Sequence, residues 1–197
     1  AATLNTLDGN TTGAVNAANV TMLTGLAANV NTAYASAGIS NLGDEAVTLN
    51  DTTLAADMVV AIDNATSGAI NATNVTTLTG SASNVNSALT SAGITNLDGD
   101  EAVTLSDTTL AAATLNTLDG NTTGAVDATT VTTLTGSAAN MNTAYASMGI
   151  SNLANEAVRL DDASLAAAKL NMLDDNTTGA IDAATVTTLT GSAANVN

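Results

Sequence analysis

The chain repeats itself, and that periodicity limits the available folds more than any other feature of its 197 residues. The segment Thr-Leu-Asn-Thr-Leu-Asp-Gly-Asn-Thr-Thr-Gly at Thr3–Gly13 returns at Thr114–Gly124, with diverged versions at Met58–Gly68 and Lys169–Gly179. The equivalent positions Leu4, Val59, Leu115 and Leu170 are spaced by 55, 56 and 55 residues, and the Glu-Ala pairs beginning at Glu45, Glu101 and Glu156 keep the same period. A module recurring at this interval stacks on copies of itself, because one copy cannot bury its own apolar face. We read residues 1–197 as one continuous array of about three and a half copies, approximately 4–58, 59–114, 115–169 and a partial 170–197. It starts and stops in mid-repeat, as a window on a longer protein would.

The composition demands such an arrangement. Ala, Thr, Asn and Gly fill 116 of the 197 positions, and Tyr34 and Tyr145 are the aromatic residues. Large side chains are too few for an ordinary core, whereas small ones let stacked coils approach closely. The chain has no His and no Cys. Imidazole bases, thiolate nucleophiles, Cys/His zinc sites and disulfides are therefore excluded. Its net charge is −16, with Arg159 and Lys169 as the basic residues. That balance disfavours nucleic acid and anionic lipid, which need clustered Lys and Arg. No apolar run approaches membrane-spanning length. No charged-then-apolar leader opens the chain, which places any signal peptide outside this sequence.

Local signals point to short helices and shorter strands. The stretch 108–119 follows Ser106 and Asp107, either a credible N-cap, and places Ala111, Leu115 and Leu118 on one helical face. Gly120, with Gly9, Asn64 and Asp175 in the other copies, reads as a left-handed residue closing that helix. Left-handed strain there predicts that Gly120→Val destabilises. A second helix is expected over 137–148, with Met141, Tyr145 and Met148 on one face and Gly149, like Gly38 and Gly93, closing it. A third is expected over 127–135, ended by Gly136 as by Gly25, Gly80 and Gly191. Strand character belongs to 125–126, 150–153 and 157–160. The one-residue difference between the segments before Glu45, Glu101 and Glu156 marks an exposed loop. These signals predict an α/β tandem-repeat solenoid of short parallel strands and capped short helices, with about 55 residues per repeat and two strand–helix turns in each. An all-β solenoid is the alternative, favoured by the Thr and Asn content.

The phrases at 117–126, 131–140 and 37–42 resemble the repeats of very long cell-surface proteins of bacteria, most closely those of marine cyanobacteria. The resemblance covers the whole chain and brings no catalytic residues with it. It implies a secreted, extended protein with a surface, adhesive or motility-associated role, placed outside the cell.

The acidic residues are the one candidate for ligand chemistry. Asp8, Asp63, Asp119 and Asp174 share a column, while Asp98, Asp100 and Glu101 cluster in the inserted loop. Calcium suits such hard oxygen donors, making Asp98, Asp100, Glu101, Asp119, Asp174 and Asp175 the candidate ligands. Neither EF-hand spacing nor a glycine-rich nonapeptide is present, and a solvated acidic face explains the same residues. An Asp just inside a helix C-terminus opposes the helix dipole, which suggests a local partner. Thr11-Thr12, Thr122-Thr123, Thr177-Thr178 and the 132–135 run could form ranked threonines that bind ice, although turn and cap chemistry accounts for them equally. Recurrent Asn-x-Thr sequons follow from the same turn chemistry. Every carboxylate position is one of several alike, so no unique catalytic cleft is expected and the chain is read as a non-enzyme. The expected role is a structural rod or spacer of a long extracellular protein, with neighbouring repeats as partners and end-to-end self-association. The alternatives are a calcium- or glycan-binding adhesin module and an ice-binding solenoid.

Overall fold

Short strands and short helices alternate along residues 1–196, the part of the chain that the computed structural model describes. Two units can be separated, Ala1–Gly80 with Asn84–Ala102, and Ser81–Ser83 with the chain from Val103 onward. The elements of the first are α1 (Ala2–Gly9), β1 (Val15–Asn16), β2 (Met22–Gly25), α2 (Ala27–Ala35), β3 (Ile39–Ser40) and β4 (Ala46–Leu49). They continue with β5 (Thr53–Ala55), α3 (Ala56–Ala65), β6 (Ile70–Asn71), β7 (Thr77–Gly80), α4 (Ala82–Thr90), whose first two residues belong to the second unit, and β8 (Ile94–Thr95). The second unit carries β9 (Ala102–Leu105), β10 (Thr109–Ala111), α5 (Ala112–Asn121), β11 (Val126–Asp127), β12 (Thr133–Gly136) and α6 (Ala138–Ala146). It closes with β13 (Ile150–Ser151), β14 (Ala157–Leu160), β15 (Ser164–Ala166), α7 (Ala167–Asn176), β16 (Ile181–Asp182), β17 (Thr188–Thr190) and α8 (Ala193–Val196).

Every recorded strand pairing is parallel, and partners lie 23 or 24 residues apart. In the first unit Val15 faces Ile39, Met22 faces Ala46, Val47 faces Ile70 and Leu54 faces Leu78. In the second, Val103 faces Val126, which faces Ile150, while Leu110, Leu134, Val158 and Ile181 form one continuous row. The helices form the other layer, with α1, α2 and α3 in succession in the first unit and α5 to α8 in the second. Each unit is thus a stack of coils, and the fold class is an α/β repeat solenoid.

One coil is shorter than the 55-residue sequence period, and the strand count explains the mismatch. Two strands separate α1 from α2 and α5 from α6, whereas three separate α2 from α3 and α6 from α7. The middle strand of each triplet is shared. Thus β4 pairs with β2 of the coil before and β6 of the coil after, and β14 does the same with β12 and β16. One sequence period is therefore two unequal coils.

Burial follows from residue size. The inner stripe of each helix is narrow, spaced by three: Ala27, Val30 and Ala33; Ala56, Val59 and Ile62; Ala112, Leu115 and Leu118; Ala138, Met141 and Ala144. The first residue of each stripe is a buried alanine, which lets the helix sit close to the sheet. Along the strands Val47 and Leu49, or Val158 and Leu160, point inward while their neighbours point out. Leu115→Ala should cost about 3 kcal/mol at such a fully enclosed site.

Several local expectations need correction. The helix expected over 108–119 begins later, at Ala112, because the β-branched Thr109 with Leu110 and Ala111 joins a parallel ladder as β10. Asp107 therefore does not cap its own helix. Gly120 lies inside α5 with open space where a Cβ would stand and no left-handed φ, so the reason to expect damage from Gly120→Val disappears. These helices leave through an extended Thr instead, as at Thr122 and Thr177. The helix expected over 127–135 is two strands joined by a turn, since its alternating Val, Thr and Leu satisfy a ladder better than a helix. Gly136 ends a strand at φ +125. Of the face expected on the second helix, Met141 is buried but Met148 is fully exposed, beyond the end of α6.

Candidate functional surface

The junction between coils is where the polar chemistry of this chain is concentrated. Three types of carboxylate tie recur there. The first fastens a helix start. Asp51, Asp107 and Asp162 each accept the N–H of a helix-opening alanine in the preceding coil, Ala27, Ala82 and Ala138, at 2.8, 2.7 and 2.7 Å. A carboxylate at a helix N-terminus satisfies an otherwise orphan donor and complements the dipole.

The second tie fastens a helix end. Asp8, Asp63 and Asp119 accept the hydroxyls of Ser36, Ser91 and Ser147 in the next coil, at 2.6 to 2.7 Å. This is the local partner that the unfavourable helix-end position called for. Each serine oxygen also accepts the N–H of Gly38, Gly93 or Gly149. A Cβ on any of these glycines would meet the aspartate carboxylate, which would have to shift from the position in which it holds the serine. They are not left-handed helix stops.

The third tie is buried. Glu45, Glu101 and Glu156 are 1, 2 and 1% exposed at or beside the start of a shared middle strand. Glu45 accepts the N–H of Gly43 and the hydroxyl of Tyr34, and Glu156 accepts the N–H of Ala154 and the hydroxyl of Tyr145. Glu101 accepts from the N–H groups of Asp98 and Gly99. The backbone carbonyls of Glu45 and Glu156 accept the buried hydroxyls of Thr66 and Thr177. Burial is the main cause that raises the tyrosine hydroxyls above their usual range, with the adjacent glutamate adding to it; Tyr145 is pushed up to about 12. Glu45 Oε1 is buried without a hydrogen-bond partner.

On the outer surface, Asn41, Asn96 and Asn152 adopt left-handed backbone conformations and donate to Asn16, Asn71 and Asp127 of the preceding coil. The Thr129 hydroxyl, the Asn152 amide and the Thr129 N–H together lower Asp127 below the usual carboxylate range. An open cleft of about 540 Å³ in the second unit is lined by Arg159, Asp182, Asp161, Asn140 and Gly136 among others. Arg159 stands 3.8 Å from Asp182, and both are largely exposed.

The calcium candidates are dispersed among these roles. Glu101 is a buried loop anchor, Asp119 a helix-end tie, and Asp98 and Asp100 are exposed in the loop. Asp174 and Asp175 are exposed on α7. Among the described residues, no group of three or more carboxylates is placed to hold one metal ion. Of the expected threonine ranks, the Thr11-Thr12, Thr122-Thr123 and Thr177-Thr178 pairs lie outside the strands, whereas Thr133 and Thr135 of the 132–135 run occupy alternate positions of β12, matched by Thr77 and Thr79 in β7 and by Thr188 and Thr190 in β17. Sequence reasoning also missed the buried glutamates, although a recurring Glu before an apolar strand was their visible signal.

The arrangement defines a class, an α/β solenoid whose recurrent polar side chains join successive coils. No family model, curated protein or solved structure matches the chain. Among the described residues no helix is long and apolar enough to cross a membrane.

Proposed function

We propose that the chain is a structural repeat segment, a spacer within a long extracellular or cell-surface protein, with no catalytic role. One observation carries the reading: the carboxylates, serines and tyrosines that could serve chemistry are largely engaged in holding one coil to the next. Modules joined this way add length without a new core, and neighbouring repeats of the same protein are the partners this surface fits. The remaining acidic groups repel like surfaces and favour solubility. The resemblance to bacterial surface repeats supports the extracellular placement, and end-to-end association of copies belongs to the same proposal.

The test is small-angle scattering on chains lengthened by whole copies of residues 59–114. Maximum dimension should rise by a constant increment per copy, and chelator should leave each melting temperature unchanged. A dimension that grows only as a globule's does would overturn the spacer role. A large chelator effect would instead favour the calcium-binding adhesin reading, because a ligand bound only to the folded state stabilises it.

A further inference from the structure

Three charged side chains in the open cleft of about 540 Å³ on the second unit, Arg159, Asp161 and Asp182, belong to none of the carboxylate ties. Comparison with equivalent coils separates them from the residues that hold the fold. Leu160 recurs as Leu49 and Leu105, and Asp162, which fastens a helix start, recurs as Asp51 and Asp107. Arg159 instead stands where the other copies have Thr48 and Thr104, and Asp161 where they have Asn50 and Ser106. Thr48 faces Asn71 in the same parallel register in which Arg159 faces Asp182, so the ladder forms without these charges. The Arg159–Asp182 pair, 3.8 Å apart and largely exposed, contributes little to folding. Arg159 lies inside its ladder, on β14 with β12 paired on one side and β16 on the other. Its exposure is therefore that of an outward-facing residue with a coil on either side.

Ser137 and Asn140, at the start of α6, line the same space. The Ser137 oxygen accepts the Asn140 N–H, which leaves the serine hydroxyl proton to donate. Asp182 Oδ1 accepts the Ala184 N–H, while its Oδ2 is the oxygen nearest Arg159. The cleft thus offers carboxylate acceptors, guanidinium and amide donors and a hydroxyl, in a volume typical of small-molecule sites. A free anion meets two carboxylates and the field of a chain with net charge −16, and a metal ion meets the guanidinium. A neutral polyol suits the mixture, because each of its hydroxyls both donates and accepts. We propose that the cleft around Arg159 binds a neutral carbohydrate, with the Arg159 guanidinium and the Asp161 and Asp182 carboxylates holding ring hydroxyls. The site goes beyond the spacer reading and does not rest on it, since a rod can carry the site or lack it.

The experiment titrates the full chain with maltotriose and, separately, with chitotriose, and follows the amide resonances of Gly136, Asp161 and Ala184. Saturable shifts at millimolar sugar are expected with one of the two. The amides of Gly25 and Asn50, which hold the equivalent positions of Gly136 and Asp161 in the first unit, should not move. Arg159→Thr and Asp161→Asn introduce the residues that equivalent coils already carry, so both variants should melt like the parent. Each should weaken binding roughly tenfold, the loss of one charge-assisted hydrogen bond. Four results would each overturn the proposal: no saturation with either sugar, undiminished binding by both variants, equal shifts at Gly25 and Asn50, or tighter binding of glycylglycine, which would assign the charges to a zwitterion. A large fall in melting temperature of either variant would also overturn it, by showing that the charges serve the fold. The scattering test of the spacer role is untouched by all of these, so the two readings fail separately.

Discussion

Two loops of the same repeat solve one problem differently. Before Glu156 the loop is short, and the buried carboxylate takes one backbone N–H from Ala154 and the hydroxyl of Tyr145. Before Glu101 the tyrosine position is occupied by Leu89, which can donate nothing. That loop is one residue longer, turns through Gly99 at φ +74, and presents two backbone N–H groups, from Asp98 and Gly99. The inserted residue therefore replaces a side-chain donor with a main-chain donor. The common feature is at least two donors for each buried carboxylate, and either loop length or the tyrosine can be varied to supply them.

The largest effect should come from removing the carboxylate. Glu156→Ala leaves the Ala154 N–H and the Tyr145 hydroxyl without their acceptor, and should cost about 3 kcal/mol in urea unfolding. Glu101→Ala should cost a similar amount. A loss below about 1 kcal/mol in both would show that the buried glutamates are incidental.

The comparison is sharpened by a double-mutant cycle. Deleting Gly99 should destabilise by about 1 to 2 kcal/mol, and Leu89→Tyr should recover much of that loss only in the deleted chain. Additive effects would mean that loop length and tyrosine are unrelated.

Alkaline stability separates the two loops further. Tyr145 has a folded pKa of about 12, above the unfolded value of 10, so the folded state favours the neutral phenol. The contribution is fully present below pH 10 and is lost as pH rises from 10 to about 12. Tyr145→Phe should lower stability by about 1 kcal/mol at neutral pH and flatten part of the alkaline decline. Melts at intervals from pH 8 to 12 check this, and an unaltered decline would contradict the buried hydroxyl.

The smallest effect concerns the glycines. Gly120→Ala should stabilise by about 0.5 to 1 kcal/mol, as helix propensity dictates inside α5. Gly149→Ala should instead destabilise by about 1 kcal/mol, because its Cβ meets the Asp119 carboxylate. Thermal melts of the two variants should move in opposite directions.

The period, the mixed α/β class, the strand at 157–160 and the first half of the one expected at 150–153 were legible because they depend on local pattern and exact recurrence, whereas Asn152 turns left-handed and ends that strand at Ser151. The status of Gly120 and Gly149 was not, since both glycines follow helical sequence and only the neighbouring coil distinguishes them. The 127–135 segment misled because isolated Thr-rich sequence carries little preference, and the parallel ladder decided it. The aspartate column was visible, but its partners lie 28 residues downstream, beyond any local window. Asp107 does cap a helix start, but that of the preceding coil, at Ala82, and not that of its own.

Circular-dichroism melting of a chain lacking residues 59–114 most directly tests whether successive modules complete one another. Removing one whole period leaves every strand and helix facing its usual kind of neighbour, so a cooperative transition with unchanged spectral shape and a somewhat lower midpoint is expected. A broad, non-cooperative melt or an unfolded spectrum would show that the copies are not interchangeable, and the stacked-coil account would be wrong.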